Sequence, residues 1–181
     1  MNARYFTLPA ACIAALVAHG TAIAANQGTL GTTSTGSVSI GASVPNRIQL
    51  SGLTDISFAN QDPATSASNA QNVCVWSNTS TKGYNVTATG SGAANAFTLA
   101  GGAQTVAYTV EWAGSTGQSS GTALSAGSAL TGLTSAATSA TCASGASSSA
   151  SLIVKIPSAN LQGMQAATNY TGMLTLVVAP E

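Results

Sequence analysis

Residues 36–44 set the rhythm of the chain. Val38, Ile40, Ala42 and Val44 fall on one side of an extended backbone, and Ser37, Ser39, Gly41 and Ser43 on the other. The same period of two returns at Ile48 and Leu50, at Ile56 and Phe58, and at Val73 and Val75, which alternate with Cys74 and Trp76. It returns again at Tyr84, Val86 and Ala88, at Phe97 and Leu99, and at Val106, Tyr108, Val110 and Trp112. Near the end it marks Leu152, Val154 and Ile156, then Tyr170, Gly172, Leu174, Leu176 and Val178. A period of two is the mark of strands with one face buried. Turn-rich pieces such as NQDPATSASNAQ, STKG, TGSGAANA and SGASSSA lie between these runs. Only residues 159–167 have a composition that could turn helically. Many short strands with such loops predict an all-β chain, an immunoglobulin-like antiparallel β-sandwich. Residues 113–150 are low in complexity, but Leu124, Leu130, Leu133 and Cys142 predict short edge strands inside the same domain.

The first 24 residues follow other rules. Arg4 precedes an apolar stretch over residues 8–18, and Ala22-Ile23-Ala24 has the small-x-small form of a signal peptidase site. The stretch is short for a hydrocarbon core and contains Pro9 and His19, so a cleaved signal peptide (1–24) is expected, not a membrane anchor. An N-terminal extension (25–45) and an immunoglobulin-like domain (46–181) then follow.

Export changes what the composition means. His19 and Cys12 leave with the signal, so no histidine and only two cysteines, Cys74 and Cys142, remain. In an oxidising compartment these two are expected to form one disulfide, closing a loop worth about 4 kcal/mol if loop-closure entropy governs. Two thiols without a nearby histidine make a poor metal site. The remaining charges are Arg47, Lys82 and Lys155 against Asp55, Asp62, Glu111 and Glu181. Three cations cannot build the basic patch that nucleic acid requires. With net charge near zero, little repulsion keeps copies apart.

Catalytic residues are not expected, nor a cofactor or metal. Catalysis needs a tuned acid or base, an activated nucleophile or a metal, and the abundant serines have no histidine to take their proton. Glu111 and Asp55 are expected to be solvated. Trp112 continues a buried alternation and is expected in the core, whereas Trp76 is the candidate ligand-facing aromatic.

Pro45 removes a backbone donor and commits the chain to leave the sheet or bend. Upstream, residues 29–35 (TLGTTST) are polar, so the strand at 36–44 sits between a tether and a proline. Such a strand can complete its own sandwich or add to that of a neighbouring copy, its backbone supplying bonds and its alternate side chains filling pockets.

The runs VSIGASVPNRIQL, YTVEWAGSTGQ and ATNYTGMLTLVVAPE resemble the major subunits of the alternate, or alpha, class of chaperone–usher fimbriae. The Asn169-Tyr170-Thr171-Gly172 ending is also similar to that of the spore coat protein U group of archaic pilins. The resemblance implies a sandwich lacking its final strand, completed first by a periplasmic chaperone and then, at an outer-membrane usher, by the extension of an identical or related subunit. It implies export through the periplasm to a cell-surface fimbrium, with roles in adhesion or biofilm formation, and it makes Val38, Ile40, Ala42 and Val44 the donor residues. The competing expectation is a self-completed secreted surface protein or a carbohydrate-binding adhesin module that uses Trp76.

Overall fold

A computed structural model of the chain describes residues 24–181 and divides it into two units, Met1–Val44 and Pro45–Glu181. The expected signal peptide lies almost wholly outside the described residues. In the first unit, Asn26 and Ser37 form one antiparallel bridge, each N–H donating to the other's carbonyl at 2.9 Å. The expected strand at 36–44 forms no ladder, and Val38, Ile40 and Val44 are 71%, 91% and 82% exposed. An alternating segment is only half of a strand, since the ladder needs a second backbone.

The second unit is an antiparallel sandwich of immunoglobulin-like type. Its larger sheet has the order β1 (Ile48–Ser51), β2 (Ala67–Ser77), β9 (Ala150–Ile156), β6 (Thr109–Ala113), β7 (Thr122–Ala123). The facing sheet has the order β10 (Leu174–Pro180), β3 (Gly83–Gly90), β8 (Ala129–Thr134), and a separate hairpin pairs β4 (Thr98–Gly101) with β5 (Gln104–Ala107). Among the described residues, helix is confined to α1 (Ser158–Leu161), which starts directly after Pro157, and a single 3₁₀ turn at Ala93–Asn95. The helical reach expected over 159–167 is thus only one turn.

The core between the sheets is built from the alternating positions. Val73 and Val75 of β2, Val86 and Ala88 of β3, and Leu152, Val154 and Ile156 of β9 are buried. Trp112 is fully buried, and its indole N–H donates to the Tyr84 hydroxyl at 3.1 Å, the rings meeting edge to face at 6.5 Å. That bond satisfies the one polar atom of the indole. Burial pushes the Tyr84 hydroxyl pKa up, against a smaller opposing effect of the Trp112 bond.

Other elements also differ from expectation; the last strand, expected from Tyr170, begins only at Leu174. The run at 106–112 is two strands, with β5 bonded to β4 and β6 bonded to β9. All four predicted inward residues are nevertheless buried, because alternation reports the face of a side chain and not the partner of its backbone. β2 begins at Ala67, so the polar stretch SNAQN, which reads as a turn, is strand, held in register from Ala67 opposite Ile156 to Val73 opposite Ala150. Ile56 and Phe58 pack on the core without forming a strand, since β1 ends at Ser51 and the chain leaves its ladder at Gly52 (φ 81°).

The low-complexity region belongs to the domain. Leu130 and Leu133 lie in β8, whereas Cys142 sits in a turn at φ 53° and not on the expected edge strand. Cys142 bonds Cys74 across 5.9 Å between Cα atoms. Where β9 stops pairing with β2, serines continue the bonding. Ser149 N–H donates to Val73 O (2.9 Å), Val75 N–H donates to Ser149 Oγ (2.8 Å), and the hydroxyls of Ser149 and Ser135 both reach Val75 O. These hydroxyls satisfy buried backbone groups that no strand covers.

Candidate functional site

The last strand is covered less well than its sequence promises. Leu174, Leu176 and Val178 face the core from β10 but are only half-buried, while Leu152, Val154 and Ile156 of β9 are buried. Among the described residues β10 is an edge strand, hydrogen-bonded to β3 alone. The bond from Glu181 N–H to Gly83 O (3.0 Å) sets the parity of that ladder. Bonded pairs alternate in an antiparallel ladder, so Thr175, Val177 and Ala179 turn their backbone groups to β3. Those of Leu174, Leu176 and Val178 face the open edge. Pro180, which has no N–H, falls on the open side, where it removes no ladder bond.

Beside this edge runs a groove of about 1160 Å³. One wall is residues 53–61 with Pro63 and the other is the start of β10 at Leu174 and Leu176; the floor includes Leu99, Tyr108, Leu152, Val154 and Ile156. Leu161, Met164 and Tyr170 close one end. Tyr170 is fixed there because its hydroxyl donates to Gln104 Oε1 (2.7 Å) and accepts from Gln165 N–H (3.0 Å). Its ring lies over Gly101, where an added Cβ would come within 2.5 Å of it. The groove therefore offers apolar side chains and a free backbone edge together.

Two side-chain amides, one in β2 (Gln71) and one just after it (Asn78), hold the ends of the short β1. Beyond Gly52, Gln71 Oε1 accepts from Thr54 N–H (2.8 Å) and Thr54 Oγ1 (3.1 Å), and Gln71 Nε2 donates to Thr54 O (3.1 Å). This amide imitates a peptide group and keeps the start of the 53–63 wall tied to the sheet. Before β1, Asn78 Nδ2 donates to Pro45 O (2.9 Å) and Asn78 Oδ1 accepts from Arg47 N–H (2.6 Å). Sequence reasoning missed both residues, since a lone Gln or Asn in a polar stretch carries no periodic signal.

The other candidates lie elsewhere. Trp76 is half-buried against the cluster of Cys74, Ala137 and Cys142, on the face of β2 opposite Val75. Glu111 is not simply solvated. It accepts from Lys155 Nζ at 2.7 and 2.8 Å and from Gly121 N–H at 3.0 Å, and the lysine bond holds its carboxyl below the ordinary value. Among the described residues, no three of His, Cys, Asp or Glu gather as a metal site would require, and no helix is long and apolar enough to cross a membrane.

Comparison with known proteins is sparse. No family model matches the chain, and no curated protein matches it. One similar solved structure is described as "Chaperone-tip adhesin complex is vital for synergistic activation of CFA/I fimbriae biogenesis". The similarity has 14% identity and a TM-score of 0.48, and covers 75% of this chain and 41% of that one. The present chain thus spans less than half the length of that protein.

Proposed function

We propose that this chain is a structural fimbrial subunit that polymerises by donating its residues 36–44 to the groove of the next copy. The observation that carries the reading is the uncovered core face of β10 beside its own free backbone edge. A strand laid there would take ladder bonds from Leu174 and Leu176, the β10 residues that line the groove, and press alternate side chains onto the floor. Val38, Ile40, Ala42 and Val44 have that alternation, and the three larger ones are well exposed. Covering Val38, Ile40 and Val44 contributes about 1.5–3 kcal/mol each, before ladder bonds and against the cost of ordering the segment. Asp55 on the 53–63 wall is the one charged residue lining the groove, and the donor residues carry none, in keeping with a chain that has few charges.

The same groove gives a periplasmic chaperone a place to lend a strand before assembly, and an outer-membrane usher the step at which it is exchanged. In this reading the protein is exported to the cell surface, acts in adhesion or biofilm formation, and performs no catalysis. The packing of Trp76 on the disulfide favours a structural role for that aromatic over a sugar platform.

The test is Ile40→Asp, with cell-surface extracts run unboiled on a denaturing gel. The parent chain should give a ladder of multimers and the variant only monomer or chaperone-bound subunit. Fibres of ordinary length from the variant would refute the reading.

A further inference from the structure

We propose that Asn78 sets the choice between donating residues 36–44 to a neighbour and inserting them into the chain's own groove, by capturing the N–H that a self-inserting turn would need. The inference rests on the strand-donation reading.

Val44-Pro45-Asn46-Arg47 has the chemistry of a β-turn. Proline in its second position presets φ near −65°, and asparagine is favoured in the third. A turn of that kind closes when Arg47 N–H donates to Val44 O. It would fold 36–44 back antiparallel beside β1, whose only ladder partner among the described residues is β2, and towards the groove bordered by residues 53–63. In the structure the Arg47 N–H is already committed to Asn78 Oδ1 at 2.6 Å. Asn78 also donates from Nδ2 to Pro45 O at 2.9 Å and from its backbone N–H to Arg47 O at 3.1 Å. Ile48 stands opposite Ser77, so these three bonds carry the β1–β2 ladder back through Arg47 to Pro45. The chain therefore continues along the line of β1 at the very residues where self-insertion requires it to reverse. A strand arriving from another copy has no such turn to make, so the Asn78 clamp penalises insertion in cis and leaves donation in trans untouched.

The experiment compares the exported chain with Asn78→Ala and Asn78→Asp, reading the monomer-to-multimer ratio by size exclusion and the hydrogen exchange of residues 36–44 in each fraction. Losing the clamp should raise the monomer-to-multimer ratio about tenfold, the scale of one net hydrogen bond. The Asn78→Ala monomer should protect 36–44 at every dilution. Asn78→Asp keeps an acceptor for Arg47 N–H and should partition as the parent does. Should Asn78→Ala not accumulate as folded protein, Asn78→Ser, whose shorter hydroxyl leaves Arg47 N–H free, takes its place with the same expectation. Freely exchanging 36–44 in the Ala or Ser monomer, with multimers still protecting it, would overturn the clamp and leave strand donation standing. Free exchange of 36–44 in parent multimers would overturn strand donation itself.

Discussion

Leu176 and Leu152 offer a direct measure of the groove, because they are the same residue type facing one core with different cover. Leu152 is 2% exposed, and truncating a leucine so placed to alanine costs about 2–5 kcal/mol. Leu176 is half-buried, so in an isolated subunit Leu176→Ala should cost about half as much, roughly 1–2 kcal/mol. Once a donated strand covers β10, Leu176 becomes as enclosed as Leu152, and the two truncations should then cost similar amounts. The measurement uses urea unfolding of subunits held monomeric by Ile40→Asp, and the dissociation temperature of multimers from chains carrying the parental Ile40. In monomers Leu152→Ala should move the midpoint about twice as far as Leu176→Ala; in multimers the shifts should converge. Equal shifts in the monomer would mean that β10 is already fully covered there. A Leu176→Ala shift that stays small in multimers would mean that nothing enters the groove on assembly. Either result refutes the reasoning.

Two further outcomes follow from the domain itself. Replacing Cys74 and Cys142 together by alanine opens a loop spanning 68 positions and should lower stability by about 4 kcal/mol, seen as a lower urea midpoint that reductant no longer changes. Glu111 is held below its ordinary pKa by Lys155, so its contribution is fully present above the unfolded value and lost as pH falls through the folded one. Glu111→Gln should therefore flatten the acid side of the stability–pH curve, and an unchanged acid slope would show that the pair contributes nothing.

Sequence periodicity revealed the core well and the connectivity poorly, for a physical reason. Val106, Tyr108, Val110 and Trp112 were legible as one buried face because burial is a property of each side chain and repeats locally. The break between β5 and β6 was not legible, because it depends on which distant backbone each half meets. The polar half of β2 was missed for the complementary reason. SNAQN lacks an apolar stripe, yet its partner β9 is buried along six of its seven residues and supplies the apolar share of the pairing. The groove was half legible. Its floor and β10 follow from alternation, and the disulfide from counting cysteines. The positions of Gln71 and Asn78, which fasten β1, depend on register alone. Residues 36–44 read as a strand because their pattern is that of one, whereas a strand's ladder is a relation between two backbones.

The charged groups of the domain bear on how copies can meet. Lys155 is paired with Glu111, Lys82 Nζ reaches Ala137 O at 3.3 Å, Asp62 Oδ1 caps the turn at Ala64 N–H (2.9 Å), and Glu181 Oε2 accepts from Gly132 N–H (2.9 Å). Each of these groups has a partner within its own domain, while Arg47, Asp55, Asp62 and Glu181 stay exposed, too few to form a charged patch. An interface built by such a chain has little electrostatic steering available, so its strength and its specificity must come from apolar burial and backbone pairing. Backbone pairing alone does not discriminate, since any extended peptide offers the same groups. Discrimination then falls to the fit of alternate side chains on the groove floor and to what the hinge at Pro45–Arg47 permits. Under the proposed strand donation, such a domain would gain partner selectivity by limiting where its own extension can turn, and the three hydrogen bonds joining Asn78 to Pro45 and Arg47 lie at the residues where that limit would act.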